Sequence, residues 1–307
     1  MAVVQTDLIH RDDSGRRLRR TRRRWTLILI GASLFFVAVY LLAVHTTTGQ
    51  AVENAALTGA EQVDTQAFVI AHRALDTITY SSLAVATVLV GIIGLMRRQV
   101  TLAVAAMAVI LGSQAVTQVL KYVVLQRPEL LTTGEYLENT LPSGHTTAAM
   151  SVLFATLIVM PYRFRGVAMF VALTWAVGIG AYTVIAKWHR LSDTLAADAV
   201  ALFVACAASH FLARTDRIRD VVSPGAARFT LRTVFVGIVA MVGAVSLALG
   251  VVALIPPPQT IDEATQWQLF LSAQWLAAAG SIFAALLFWW TWHRLETKRR
   301  SDWATAR

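Results

Sequence analysis

Long apolar runs alternate with short polar segments along the whole chain, and most of those segments are basic. A helix that crosses a bilayer needs roughly 20 mostly apolar residues. On that measure the pattern predicts eight spans, at about 25–45, 78–96, 100–125, 142–161, 167–187, 193–213, 233–255 and 269–292. The fourth is the most sharply delimited, because Pro142 and Pro161 bracket it. The expected fold class is therefore all-α, a polytopic membrane helix bundle. Two helix starts are unusual in carrying a histidine: Asn139 to Met150 (NTLPSGHTTAAM) and Trp188 to Asp193 (WHRLSD).

Composition supports the membrane reading. With 56% hydrophobic and 15% charged residues over 307 positions, the chain is too apolar for a soluble domain of this size. The net charge of +9 would suggest nucleic acid if it covered one soluble surface. Here the arginines cluster between apolar runs, as topology determinants do, with a minor role in holding anionic membrane lipid. Cys206 is the only cysteine, which excludes an intrachain disulfide and a thiolate-built metal site. The amino end, RRLRRTRRRW before an apolar stretch, reads as an uncleaved first span, since that stretch is too long for a signal-peptide core. A twin-arginine export signal is the alternative.

Placing the amino end in the cytoplasm puts 22 of the 27 Lys and Arg residues on the inner side. The outer loops collect Glu53, Glu61, Asp64 and Asp76, then Glu129, Glu135 and Glu138, then Asp262 and Glu263. The expected arrangement is a multi-pass protein of the plasma (inner) membrane with both termini cytoplasmic. Trp25, Trp289, Trp290 and Trp292 stand where interfacial aromatic belts belong. The last span carries small residues at Ala273, Ala277, Ser281 and Ala285, spacing that admits a close helix from this chain or from a second copy in a homo-oligomer. The Pro256 to Pro258 run ends span seven.

Five basic residues break the positive-inside pattern: Arg73, Lys121, Arg127, Lys187 and Arg190. Four of them lie at the outer ends of spans three, five and six. Gln114, Gln118 and Lys121 share one helix face. Lys121 and Arg127 either snorkel to the interface or face a cavity in the bundle. Beside two histidines and a carboxylate, four cations point to an anion site. Cations and the N–H groups of a helix start both favour phosphate, and Ser143 and Gly144 supply such a start. His145 and His189 then offer a general acid and a nucleophile, and Asp193, four residues after His189, fits an orienting role. No metal or other cofactor is implied. For His72, His210 and His293 a polar side chain reaching water suffices, and Asp198 is left without a role between a partner of the site and a partner of span three.

These residues resemble the type 2 phosphatidic acid phosphatase family, membrane phosphatases related to vanadium haloperoxidases. The resemblance rests on KYVVLQRP from Lys121 to Pro128, PSGH from Pro142 to His145, and YTVIAKWHRLSD from Tyr182 to Asp193. It implies that His189 forms a phosphohistidine, that Asp193 orients it, and that His145 protonates the leaving oxygen. Lys121, Arg127, Ser143 and Gly144 would hold phosphate oxygens. Two departures stand out. One residue fewer separates Lys121 from Arg127-Pro128 than in the family, a rotation of about 100° in regular helix, which a loop near Gln126 would absorb. The family's Ser-Arg falls at Tyr182 and Thr183, so one phosphate-binding Arg is missing and Arg190 or Lys187 must substitute.

The implied organisation is a basic tail (1–24), a six-helix phosphatase-like core (25–213), a loop (214–232), two added C-terminal helices (233–292) and a tail (293–307). The implied activity is hydrolysis of a phosphorylated lipid substrate, a lipid phosphate or diphosphate of polyprenyl or phosphatidate type, at the outer membrane face. The alternatives are a catalytically weak relative that binds or moves such a lipid, and a lipid-linked phosphotransferase.

Overall fold

A computed structural model describes residues 2–78, 80–131, 138–215, 217–220, 226–254, 261–293 and 295–297. Glu135, the Pro256 to Pro258 run and most of the 293–307 tail therefore lie outside the described residues. Among the described residues ten α-helices follow in order: α1 (Ala2–Val39), α2 (Thr47–Gly59), α3 (Thr65–Asp76), α4 (Tyr80–Met96), α5 (Val100–Val119), α6 (Gly144–Val159), α7 (Arg165–Ile185), α8 (Leu191–Arg214), α9 (Ala226–Val252) and α10 (Glu263–Thr291). Two short strands, β1 (Ile218–Asp220) and β2 (Leu295–Thr297), pair antiparallel at one end.

The protein is a helical, multi-pass membrane bundle. Among the described residues, six helical stretches are long and apolar enough to cross a bilayer, among them Leu18–Val44 and Val100–Val124, which run on from α1 and α5 through π-helical turns. The other two expected spans are shorter: α4 has 17 residues and is bent 59° from α3, and α6 has 16. The short length of α6 follows from its position. It is buried from Thr146 through Val159 on nearly every face, as an all-round apolar helix should be, and neighbouring helices rather than lipid surround it. Leu34, Val85, Met241 and Phe283 on α1, α4, α9 and α10 are exposed instead, a surface stable only against hydrocarbon.

The interfacial reading of the tryptophans holds only in part. Trp290 is half exposed beneath the Arg24 guanidinium. Trp25 and Trp292 are fully buried with ring centroids 5.7 Å apart, and their indole N–H groups donate to Thr291 and Ser209. They lock α1 and α10 onto α8. Arg165, read from sequence as a charge marking the inner loop, is buried as well and donates to the carbonyls of Leu157, Met160, Trp292 and Leu295. The small-residue stripe of α10 is turned inward, and Ser281 donates to both Asp198 carboxylate oxygens at 3.1 and 2.9 Å. Asp198 thus pairs with the last helix and with neither the site nor span three.

Helices α2 and α3 were not foreseen; the hydropathy pattern leaves 46–77 as a loop. Their starts are nevertheless capped by ordinary chemistry, Thr46 accepting from the Gly49 N–H and Asp64 from Gln66 and Ala67. Gly59 lets α2 lie directly on α10, because a Cβ there would run into the Gln266 backbone carbonyl. Backbone cannot step aside as a side-chain tip can. Gly59→Ala is expected to cost about 1–3 kcal/mol, read as a lowered Tm of the detergent-solubilised protein.

Candidate active site

The site is assembled where three segments meet: the loop after α5, the start of α6, and the turn between α7 and α8. That turn is built by the end of α7. The N–H groups of Trp188 and Lys187 donate to the carbonyls of Thr183 and Val184, and Lys187 takes a left-handed φ of 58°. This is the paired hydrogen-bond termination usually made by glycine. The His189 N–H also donates to the Thr183 carbonyl, at 3.1 Å, so the turn fixes where the imidazole leaves the chain.

His189 and Asp193 are both buried, with His189 Nδ1 3.1 Å from Asp193 Oδ2. The same oxygen accepts the Arg190 N–H at 2.9 Å. A carboxylate bound to Nδ1 places the proton there and leaves the Nε2 lone pair for chemistry. Across from this pair, the His145 ring centroid lies 6.4 Å from that of His189. The two imidazoles are therefore near neighbours bordering one site.

The start of α6 is tied to the same turn. The Ser143 N–H donates to the Asp193 carbonyl at 3.0 Å, and the Ser143 hydroxyl caps the helix by accepting the Thr146 N–H at 3.3 Å. Gln114, from the polar face of α5, donates to the Gly144 carbonyl at 3.1 Å. A Cβ at Gly144 would meet only Gln118 Nε2, at 4.0 Å. Among the described residues, packing does not demand glycine there.

The cations separate into those that join this group and one that does not. Lys121 lies within electrostatic reach of His145 and Asp193, and Arg127 within reach of Arg190 and Asp193. The rotation expected for Lys121 does not arise, because the helix ends in a π-helical turn at Val124 and Leu125 to Leu130 is not helical. The Arg190 guanidinium is buried and donates to the Thr140 hydroxyl at 2.8 Å, just before the PSGH turn. Lys187 turns the other way, to an ion pair with Glu61 at 2.8 Å. Thr183, at the position of the missing family Arg, is buried with its hydroxyl on the Gly180 carbonyl. Of the two proposed substitutes, Arg190 is the one that lies beside the site. Lys187→Ala should leave phosphate-releasing activity within about two-fold, since its ion pair with Glu61 is partly exposed and turned away from the histidines; steady-state kinetics checks this.

Three residues that sequence reasoning did not select complete the surroundings. Trp188 lies between two histidine rings, its centroid 5.2 Å from His145 on one side and 5.2 Å from His72 on the other. His72 on α3, expected simply to reach water, packs against Phe68 of the same helix and against Trp188 of the α7–α8 turn, and so lies next to the site. Glu53, on α2, accepts the Ser192 N–H at 2.9 Å and places its other oxygen 3.9 Å from Arg127. Burial, and after it the nearby Asp193 carboxylate, raises the pKa of Glu53 above the usual carboxylate range. No local motif marks Glu53 or His72, which the folding of α2 and α3 over the bundle brings in, and Trp188, though it stands in the WHRLSD stretch, shows its role only through its contacts with His145 and His72.

A helical membrane bundle that gathers two histidines, a buried aspartate and several basic side chains at a helix start defines a phosphatase-type membrane protein. The comparison with known families agrees: residues 99–217, from α5 through α8, match the family model described as PAP2 superfamily. No curated protein and no solved structure matches the chain.

Proposed function

We propose that the protein is an integral membrane phosphatase that hydrolyses a lipid phosphate or diphosphate, of polyprenyl or phosphatidate type, through a phosphohistidine at the outer membrane face. The observation that carries this reading is the His189–Asp193 pair facing His145 beside the capped α6 start. His189 Nε2 attacks phosphorus while the P–O bond to the lipid breaks, and His145 gives its proton to the departing oxygen. Water then attacks the N–P bond, returns a proton to His145, and releases orthophosphate. From a diphosphate the first step transfers the terminal phosphoryl group and leaves a lipid monophosphate. Lys121, Arg127, Arg190 and the Ser143–Gly144 backbone balance the charge that builds on the phosphoryl oxygens.

A lipid fits better than a soluble ester because the site lies at the mouth of a membrane bundle, where a headgroup can enter while its tail stays in hydrocarbon. The outer location is supported by charge counting, which puts Arg97, Arg163 and the basic tails at the opposite end from the three motifs. The test is release of inorganic phosphate from a long-chain polyprenyl diphosphate and from phosphatidate by the purified protein in vesicles. A membrane-impermeant phosphate detector reports the side of release. No release from either lipid refutes the hydrolase reading, and release into the cytoplasmic-side compartment refutes the orientation.

A further inference from the structure

We propose that Glu53 is a proton-linked place-holder for the phosphate: it faces Arg127 when the site is empty and takes up a proton when phosphate binds. This rests on the phosphatase reading and adds to it a residue outside the three motifs. The geometry is specific. Glu53 is 8% exposed on α2, with Oε1 held by the Ser192 N–H at the start of α8. Among the described residues Oε2 has no hydrogen-bond partner, and it lies 3.9 Å from the Arg127 guanidinium, whose other nitrogen is 3.4 Å from Asn54 Oδ1. Arg127 is thus held by α2 from one side, in the place where a phosphate oxygen would hold it from the other.

The groups that face Glu53 are unequal. Arg127 from the loop after α5 and Arg190 from the start of α8 favour its carboxylate form, and Asp193 disfavours it. Among the described residues, the largely apolar cavity beside Glu53 is lined by Leu254, just after α9, and by Leu269, Ser272, Ala273 and Leu276 of α10, with Arg190 the one charged side chain besides Glu53 itself. A phosphate brought against Arg127 adds like charge beside an already desolvated carboxylate. Protonation removes that repulsion and converts Oε2 from an acceptor into an O–H donor toward the anion. The sign follows from linkage. Because Glu53 in the phosphate complex has the higher pKa, affinity is greatest below the pKa of the empty site and falls as pH rises between the two values.

Calorimetric titration of the full-length protein with inorganic phosphate, from about pH 5 to about pH 8 in buffers of different ionisation enthalpy, reads both affinity and protons taken up. Wild type should take up close to one proton more per phosphate than Glu53→Gln. Its affinity should also fall with pH up to about ten-fold per unit more steeply. Gln keeps the acceptor for Ser192, so a residue that merely caps α8 would leave the pH slope unmoved. Infrared difference spectra of the wild type alone give a second reading: a protonated-carboxyl band should appear on phosphate addition. Equal slopes and proton counts, or no such band, overturn the proposal while leaving the phosphatase reading in place. A wild type that binds no phosphate overturns both.

Discussion

His189→Ala is expected to lower turnover of the lipid phosphate by about 10⁴-fold or more, while the protein still folds and still binds phosphate. A residue that forms the covalent intermediate has no understudy, and losses on this order are typical when a nucleophile is removed. Folding should survive because, among the described residues, the imidazole's side-chain hydrogen-bond partner is Asp193, whose Oδ2 keeps the Arg190 N–H. The measurement is phosphate release from the same lipids used for the wild type, with phosphate binding as the control. Equal rates for the two proteins would leave a protein that binds or moves a phosphorylated lipid. His145→Ala should behave differently: its deficit should shrink when the lipid alcohol is replaced by a leaving group that departs without a proton, because only the general-acid step is missing.

The bundle was legible because the bilayer imposes a crude rule, a run of apolar residues of nearly fixed length, and α5, α7, α8, α9 and α10 obey it. The rule weakens where a helix touches little lipid. Helix α6 is packed by protein on all sides and need not match the membrane thickness, so Pro142 and Pro161 delimit it better than its hydropathy does. It fails for α2 and α3, whose apolar faces are short stripes that meet α10 and the α7–α8 turn only after folding.

The site divides in the same way. PSGH and HRLSD were readable because helix capping, an i to i+4 His–Asp spacing and a glycine at the anion-facing start are local geometry. Glu53, Trp188 and His72 were not, since each gains its meaning from a contact made between helices distant in sequence. Tryptophan position misled for a related reason: an indole at a span end is the same in sequence whether it meets headgroups, as Trp290 does in part, or a neighbouring helix, as Trp25 and Trp292 do.

Arg190→Ala is expected to reduce kcat/KM by about 10²–10³-fold, or roughly 3 to 4 kcal/mol. This is the test of whether the chain has moved a family cation from one side of the nucleophile to the other. At Thr183 a buried hydroxyl satisfied by the Gly180 carbonyl leaves no room for a guanidinium and no charge for the phosphate. Arg190 follows His189 directly, is 4% exposed, and reaches Thr140 from the same corner that Arg127 and Asp193 occupy. Its backbone N–H already binds Asp193, a contact that alanine preserves, so the loss should report the guanidinium and not the turn. Arg190→Lys should recover only part of the rate, because an ammonium restores the charge without the forked pair of donors. A Tm close to wild type with a large fall in kcat/KM places Arg190 on the phosphoryl group. Wild-type kinetics in Arg190→Ala would leave Lys121 and Arg127 as the whole clamp and make Arg190 a structural link between Thr140 and α8.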